Sequence, residues 1–184
     1  CGFAGTARLR RQSEPVEAGI WTAALQRMGD QIRLRTRPAL KWSREVAAPV
    51  IVGFVKPAIL LPVALASRLS PAQVEAVLAH ELAHLRRRDT WALAVQRLVE
   101  TIVFFHPAMW WMSHRMVVAR EEACDDLVLA AGCNPADYAE ALVICSECRL
   151  ERKAPSSRLA AGLSAAGHSR NHLRRRVLRL IGGG

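Results

Sequence analysis

His80, Glu81 and His84 stand in the string His80-Glu81-Leu82-Ala83-His84. On a helix, residues four apart share a face, so both imidazoles can reach one cation while Glu81 projects beside them toward a water. Zinc suits such a pair, because it takes imidazole nitrogen at about 2.0–2.1 Å, tolerates an open fourth position and brings bound water to a pKa of about 7. Short strings of this kind also arise by chance, so their setting matters. Here Val74, Val77, Leu78 and Leu85 surround the motif, which sits in an amphipathic helix with a well-capped start.

A third ligand is required. The extended form HExxHxxGxxH needs glycine at position 87 and histidine at 90, and Arg87 and Thr90 exclude it. The alternative draws a carboxylate from a later helix. In Arg120-Glu121-Glu122-Ala123-Cys124-Asp125, Glu121 and Asp125 are four apart, so Glu121 can ligate while Asp125 hydrogen-bonds a ligating imidazole from behind. A carboxylate pair on a helix is usually a solvated face, but this helix must pack in the same small core as the motif. Asp89 is most simply the N-cap of the next helix, and five residues beyond His84 it can also support that ring.

These residues need elements to hold them. Pro15 to Met28 reads as a first helix and Gln31 to Arg37, with Ile32 and Leu34 alternating with arginines, as a half-exposed strand. Val50-Ile51-Val52 and Ala58 to Leu61, separated by Gly53 and the Lys56-Pro57 turn, read as a hairpin or edge pair. Ser70-Pro71-Ala72-Gln73 is a capping box that opens the motif helix, expected to reach about Arg88. Three more helices follow, from Asp89 to about Phe105, from Pro107 to about Ala131, and from Pro135 to about Arg152. Residues 153–168 read as a linker or loop, and Ser169 as the cap of a basic helix over 169–181. The fold expected is mainly helical α+β in a single domain, with 1–45 an N-terminal helix and strand and 46–152 the catalytic core.

The chain has 184 residues, 51% of them hydrophobic and 23% charged, which excludes a disordered chain, a collagen-like repeat and a disulfide-stapled miniprotein. Its formal charge of +10 is carried mostly by arginines near both ends. Such an excess suggests a polyanionic partner, either nucleic acid or an anionic membrane face. The odd count of five cysteines favours free thiols in a reducing compartment, and Cys145 and Cys148 read as ordinary helix thiols. The chain opens at Cys1 without a charged-then-apolar leader, as expected of a piece of something longer. No uninterrupted apolar run is long enough for a spanning helix. The nearest approach, Leu98 to Met112, fits a buried or membrane-grazing segment. Trp110 and Trp111 end it, and core packing is the expected fate of at least one of them.

From Ala48 to Ala131 the residues resemble the BlaR/MecR-type antirepressor membrane metallopeptidases: "PVIVGFVKPAILLP" before "LAHELAHLRRRD", then "FFHPAMWW", then "REEACDDLVL". The terminal "LRRRVLRL" resembles that family's Arg-rich last helix. The resemblance implies a gluzincin-like zinc peptidase domain with its small sheet packed on the motif helix. One zinc would be held by His80, His84 and Glu121, with Glu81 as base and Asp125 in support. It also implies a cytoplasmic domain between membrane spans outside this chain, acting on a repressor protein or on its own chain. His168, His172 and Arg176 are the candidate oxyanion or substrate contacts. The strand edge of Val50, Ile51, Val52, Gly53 and Phe54 could take up an extended peptide.

Two other function classes compete. A non-catalytic signalling module stabilised by zinc would have no need of a general base at Glu81 and would close all four positions with protein ligands. A nucleic-acid-binding protein would interleave aromatics with its arginines, and the C-terminal helix does not, so no direct nucleic-acid contact is expected. A homodimer is left open.

Overall fold

The computed structural model describes residues 9–153 and 164–182, with the side chains of 152, 153 and 164–171 left aside. In chain order the elements are β1 (Glu14–Pro15), α1 (Ile20–Gln31), β2 (Ala39–Ser43), β3 (Val50–Val52), β4 (Ala58–Pro62), a 3-10 turn at Val63–Leu65, α2 (Pro71–Arg86), α3 (Asp89–Ile102), α4 (Pro107–Ala130), α5 (Pro135–Lys153) and α6 (Ser164–Gly182). The result is a mainly helical α+β fold with one four-stranded sheet among the described residues, in the order β1-β2-β4-β3.

β4 is the centre of that sheet. It pairs parallel with β2, placing Leu40 beside Ile59, and antiparallel with β3, placing Ile51 beside the same residue. Ala58, Ile59, Leu60 and Leu61 are all fully buried, as expected of a strand covered on both faces. Period-two alternation then divides them: Ile59 and Leu61 join the main core with the helices, while Ala58 and Leu60 meet Val46, Val52 and Leu9 on the other side. β3 is left as an edge strand. Gly53 closes it at φ 91°, where an added Cβ would come within 2.7 Å of the Lys56 carbonyl oxygen, so a side chain there would strain the turn.

α2 is the central helix, packed against α1, α4 and α5. Val74, Leu78 and Leu82 point into the core and are fully buried. At its start, Ser70 Oγ accepts from the Gln73 backbone at 3.3 Å and Gln73 Oε1 accepts from the Ser70 N–H at 3.0 Å, so the expected capping box forms. Trp21 of α1 meets Trp42 of β2 edge-on with centroids 5.2 Å apart, tying the first helix to the sheet.

Several expectations change. The first helix starts at Ile20, because Pro15 lies in β1 and Val16 donates to the Leu40 carbonyl. Gln31 to Arg37 is not a strand. Ile32 ends α1, Arg33 takes a left-handed φ of 54°, and Leu34 donates back to Gly29, so the alternation belongs to a helix terminus. The strand lies later, at β2. At the far end, α6 begins at Ser164, which puts Ser169 inside the helix and not at its cap. Most of the expected linker, residues 154–163, lies outside the described residues. Trp110 and Trp111 are 66% and 67% exposed, so neither packs in the core.

Candidate metal centre

α2 carries His80 and His84 one turn apart, with ring planes at 82° and centroids 4.7 Å apart. α4 crosses the same helix and presents Glu121. The two Nε2 atoms stand 3.2 Å apart, Glu121 Oε2 is 3.5 Å from His80 Nε2, and Glu121 Oε1 is 3.7 Å from His84 Nε2. Donors about 2.0–2.1 Å from a tetrahedral zinc lie roughly 3.3–3.4 Å from one another. The triad, at 3.2 to 3.7 Å, lies close to that spacing.

The outer partners of the rings fix their protons. Tyr138 Oη lies 2.6 Å from Asp125 Oδ1 and 3.0 Å from Arg176 Nη2. An ionised carboxylate only accepts and a guanidinium only donates, so the tyrosine gives its single proton to Asp125 and accepts from Arg176. His80 Nδ1, 2.8 Å from the same oxygen, must therefore donate to it. On the other ring, His84 Nδ1 donates to Asp89 Oδ2 at 2.8 Å. Both histidines thus carry a proton on the outer nitrogen, and their two Nε2 atoms converge with a carboxylate. Once both Nε2 atoms give up their protons, three lone-pair donors face one point, the arrangement a divalent cation takes up.

Each support has a local cause. Arg88 takes a left-handed φ of 57° as the N-cap of α3, and this sharp turn swings Asp89 back toward His84. Asp89 is therefore the first residue of α3 and not its cap. Its carboxylate, 5% exposed, is also near Arg87 and Arg120 at 3.6 and 3.9 Å. Cys124 Sγ lies 3.2 Å from His84 Nδ1 and donates to Asp89 at 3.6 Å, so this thiol belongs to the support. Asp125 is 1% exposed and reaches His80 through Tyr138, the direct gap being 3.5 Å. Arg176 of α6 holds the group together, binding Asp125 at 2.6 and 2.9 Å and Glu121 at 3.0 Å. Burial alone would raise the Glu121 carboxyl, but the hydrogen bond from His80 and the charges of His80, Arg176 and His84 outweigh it and hold it at about 2.

Glu81 is buried beside the two histidines. Burial raises its proton affinity above that of an ordinary carboxylate, with Glu121 adding to the rise and His80, His84 and Arg176 opposing it. A cleft of about 520 Å³ opens over the group. Val50 and Ile51 of the β3 edge and Phe54 beyond it line this cleft together with His80, Glu81, His84, Glu121, Tyr138 and Arg176. Val52 is buried in the second core cluster, and Gly53 turns the chain beyond it. His172 is half-buried, and burial followed by the Arg176 charge lowers its basicity, but it is not part of the cleft lining. The His168 side chain lies outside the described residues.

Tyr138 has no sequence motif. The available signal was that the single tyrosine of the chain falls on the Ala-rich face of α5, where a buried hydroxyl must find a partner. The basic last helix also finds part of its explanation here. Arg175 pairs with Glu122 at 3.0 Å, Arg176 with Glu121 and Asp125, and Arg179 with Asp126, all on α4.

Known proteins are similar to this chain in sequence. The chain is 28% identical over 152 residues to the regulatory protein BlaR1 of Bacillus licheniformis, covering 83% of this chain and 25% of that protein. It is 27% identical over 90 residues to the methicillin resistance mecR1 protein of Staphylococcus aureus, covering 49% of this chain and 15% of that one. A shorter stretch of 38 residues is 47% identical to protease HtpX homolog 2 of Methanosarcina acetivorans, 21% of this chain and 13% of that protein. The chain thus spans about a quarter or less of the length of these relatives. The family model described as BlaR1 peptidase M56 matches residues 3–180, which takes in every element from β1 to α5 and the Arg176 anchor of α6, and the chain belongs to that family.

Proposed function

We propose that the chain is a zinc-dependent endopeptidase domain of gluzincin type, part of a membrane-bound regulator and lying on the cytoplasmic side. The observation that carries this reading is the convergence of two imidazole Nε2 atoms and the Glu121 carboxylate beside a buried Glu81, in a cleft that the β3 edge also lines. His80, His84 and Glu121 would hold one zinc.

When bound, zinc polarises a scissile carbonyl and acidifies the attacking water. Glu81 takes the water's proton on its carboxylate and delivers it to the leaving amine, and its burial makes it a stronger base than a solvated glutamate. Asp89 and Tyr138, itself bound to Asp125, accept from the outer ring nitrogens, so that Nε2 of each imidazole is the nitrogen that would give its lone pair to zinc. An extended peptide adds along the β3 edge through backbone hydrogen bonds, which gives affinity with loose sequence preference. Arg176 uses Nε, both Nη2 hydrogens and one Nη1 hydrogen on Asp125, Tyr138 and Glu121, and its remaining Nη1 hydrogen is the donor available to the oxyanion.

The substrate in this reading is a protein, either a repressor-like partner or the protein's own chain. The test compares parent and Glu81→Gln for zinc content and for cleavage of casein and of a candidate repressor. Equal zinc with cleavage lost only in the variant supports the proposal, and a parent that binds no zinc refutes it.

A further inference from the structure

α3, the turn after it and the first half of α4 form an arm that leaves the core. From Trp91 to Val117 the exposed large apolar side chains are nearly continuous: Leu98 is 62% exposed, Ile102 65%, Phe104 65%, Phe105 73%, and the two tryptophans of α4 are equally bare. α3 is exposed almost all round, with only Asp89 and Gln96 buried along it, and it is amphipathic: Trp91, Val95, Leu98, Val99 and Ile102 form one broad apolar face, with Asp89, Gln96, Arg97 and Glu100 on the other. An exposed apolar face of this breadth suits the boundary of a nonpolar medium.

Several of the arm's polar groups are satisfied from within. Trp110 Nε1–H donates to the Phe104 carbonyl at 3.1 Å, Gln96 bridges Arg120 and Glu100 at 3.0 and 2.9 Å, and Arg97 pairs with Glu100 at 2.8 Å. Internal satisfaction of this kind is what a hydrocarbon environment demands. Dimensions agree as well. From Trp91 to Ile102 is about 17 Å of helix at 1.5 Å per residue, too short for the roughly 30 Å hydrocarbon core and enough to enter one leaflet. No helix among the described residues is long and apolar enough to cross a membrane.

At the arm's foot a second cavity of about 530 Å³ is lined by Arg33, Arg35, Arg86 and Arg88 together with Trp91, and no acidic residue lines it. None of these four arginines is ion-paired with a described residue. A cationic pocket beside an interfacial tryptophan, below an apolar arm, is complementary to an anionic phospholipid surface.

We propose that the α3–α4 arm enters one leaflet of an anionic bilayer, with the four-arginine cavity receiving phospholipid phosphates. Leu93, Ala94 and Arg97 of α3 also line the catalytic cleft, so docking would set that cleft at the bilayer surface, facing protein segments close to the membrane. This goes beyond the peptidase reading and is independent of any metal.

The test uses the chain in metal-free buffer. It measures flotation with vesicles of phosphatidylcholine containing phosphatidylglycerol, flotation with phosphatidylcholine alone, and quenching of tryptophan emission by brominated lipid. The parent should float and be quenched, more strongly with phosphatidylglycerol present. Phe104→Ser with Phe105→Ser should lower the partition coefficient about tenfold or more. Arg35→Gln with Arg86→Gln should remove the preference for the anionic lipid. Should the serine variant fold poorly, quenching of the parent decides alone. A parent that neither floats nor is quenched overturns the proposal, as does equal flotation of the serine variant. So does a parent that self-associates through this arm without binding lipid, which would assign the face to a second copy of the chain.

Discussion

Replacing Tyr138 by phenylalanine removes one oxygen from the interior and leaves the ring in place. That oxygen accepts from His80 Nδ1 and Arg176 and donates to Asp125. Without it, His80 loses the acceptor that fixes its tautomer. Loss of such a support behind a metal-bound histidine weakens metal binding about 10- to 100-fold, or roughly 1.4–2.7 kcal/mol. The lower end is expected, because His80 Nδ1 already stands 3.5 Å from Asp125 Oδ1 and a closure of about 0.6 Å would make a direct bond. Asp125 itself stays anchored by two bonds from Arg176. The metal-free protein should lose about 1–3 kcal/mol for the unsatisfied buried groups, a fall of several degrees in melting temperature. Zinc affinity is measured by competition with a chelating dye, and stability by thermal melts with and without metal. If affinity stays within twofold of the parent while the melting temperature falls, Tyr138 is a packing residue and the assignment of the His80 proton is wrong.

Arg176→Met leaves Asp125 and Glu121 without their main cation, and an uncompensated buried charge costs about 3–5 kcal/mol, so a large loss in urea-denaturation stability is expected. Glu81→Gln should raise the melting temperature of the metal-free protein at neutral pH. The reason is the sign of the shift: folding lifts the Glu81 pKa, so its contribution is favourable at low pH and is lost as pH rises through the folded value, a penalty the amide avoids. The melting temperatures of the two proteins should converge in acid. Leu78→Ala, at a fully buried position of α2, should cost about 2–5 kcal/mol in denaturation while zinc stoichiometry is retained. Gly53→Ala should destabilise by about 1–2 kcal/mol and weaken peptide binding at the β3 edge, since its Cβ would meet the Lys56 carbonyl.

What could be read from the sequence was what nearest neighbours decide. The Ser70–Gln73 capping box, the β3–β4 pair about the Gly53 turn, and the shared helix face of His80 and His84 each depend on a few adjacent residues. Glu121 was within reach because a zinc site with two histidines and an open position must borrow a third donor. The long-range placements were not legible. β2 was missed because its partner in the sheet, β4, is reached across the intervening β3 in a parallel pairing that leaves no local mark, while Ile32 and Leu34 imitated strand alternation at a helix end. Asp89 resembled a cap because an aspartate before a helix usually is one. Only the left-handed Arg88 shows that its carboxylate turns back to His84. Arg176 was identified as a cation near the site, but its bonds to two carboxylates and a tyrosine depend on how α6 lies over α4 and α5.

The central claim is that His80, His84 and Glu121 form a zinc site. Equilibrium dialysis of the purified chain against zinc, followed by elemental analysis, tests it directly alongside His84→Ala and Glu121→Ala. One zinc per chain in the parent, with binding strongly weakened in both variants while their folded spectra persist, is the expected result. No zinc above background in the parent, or the same zinc content in all three proteins, would contradict it.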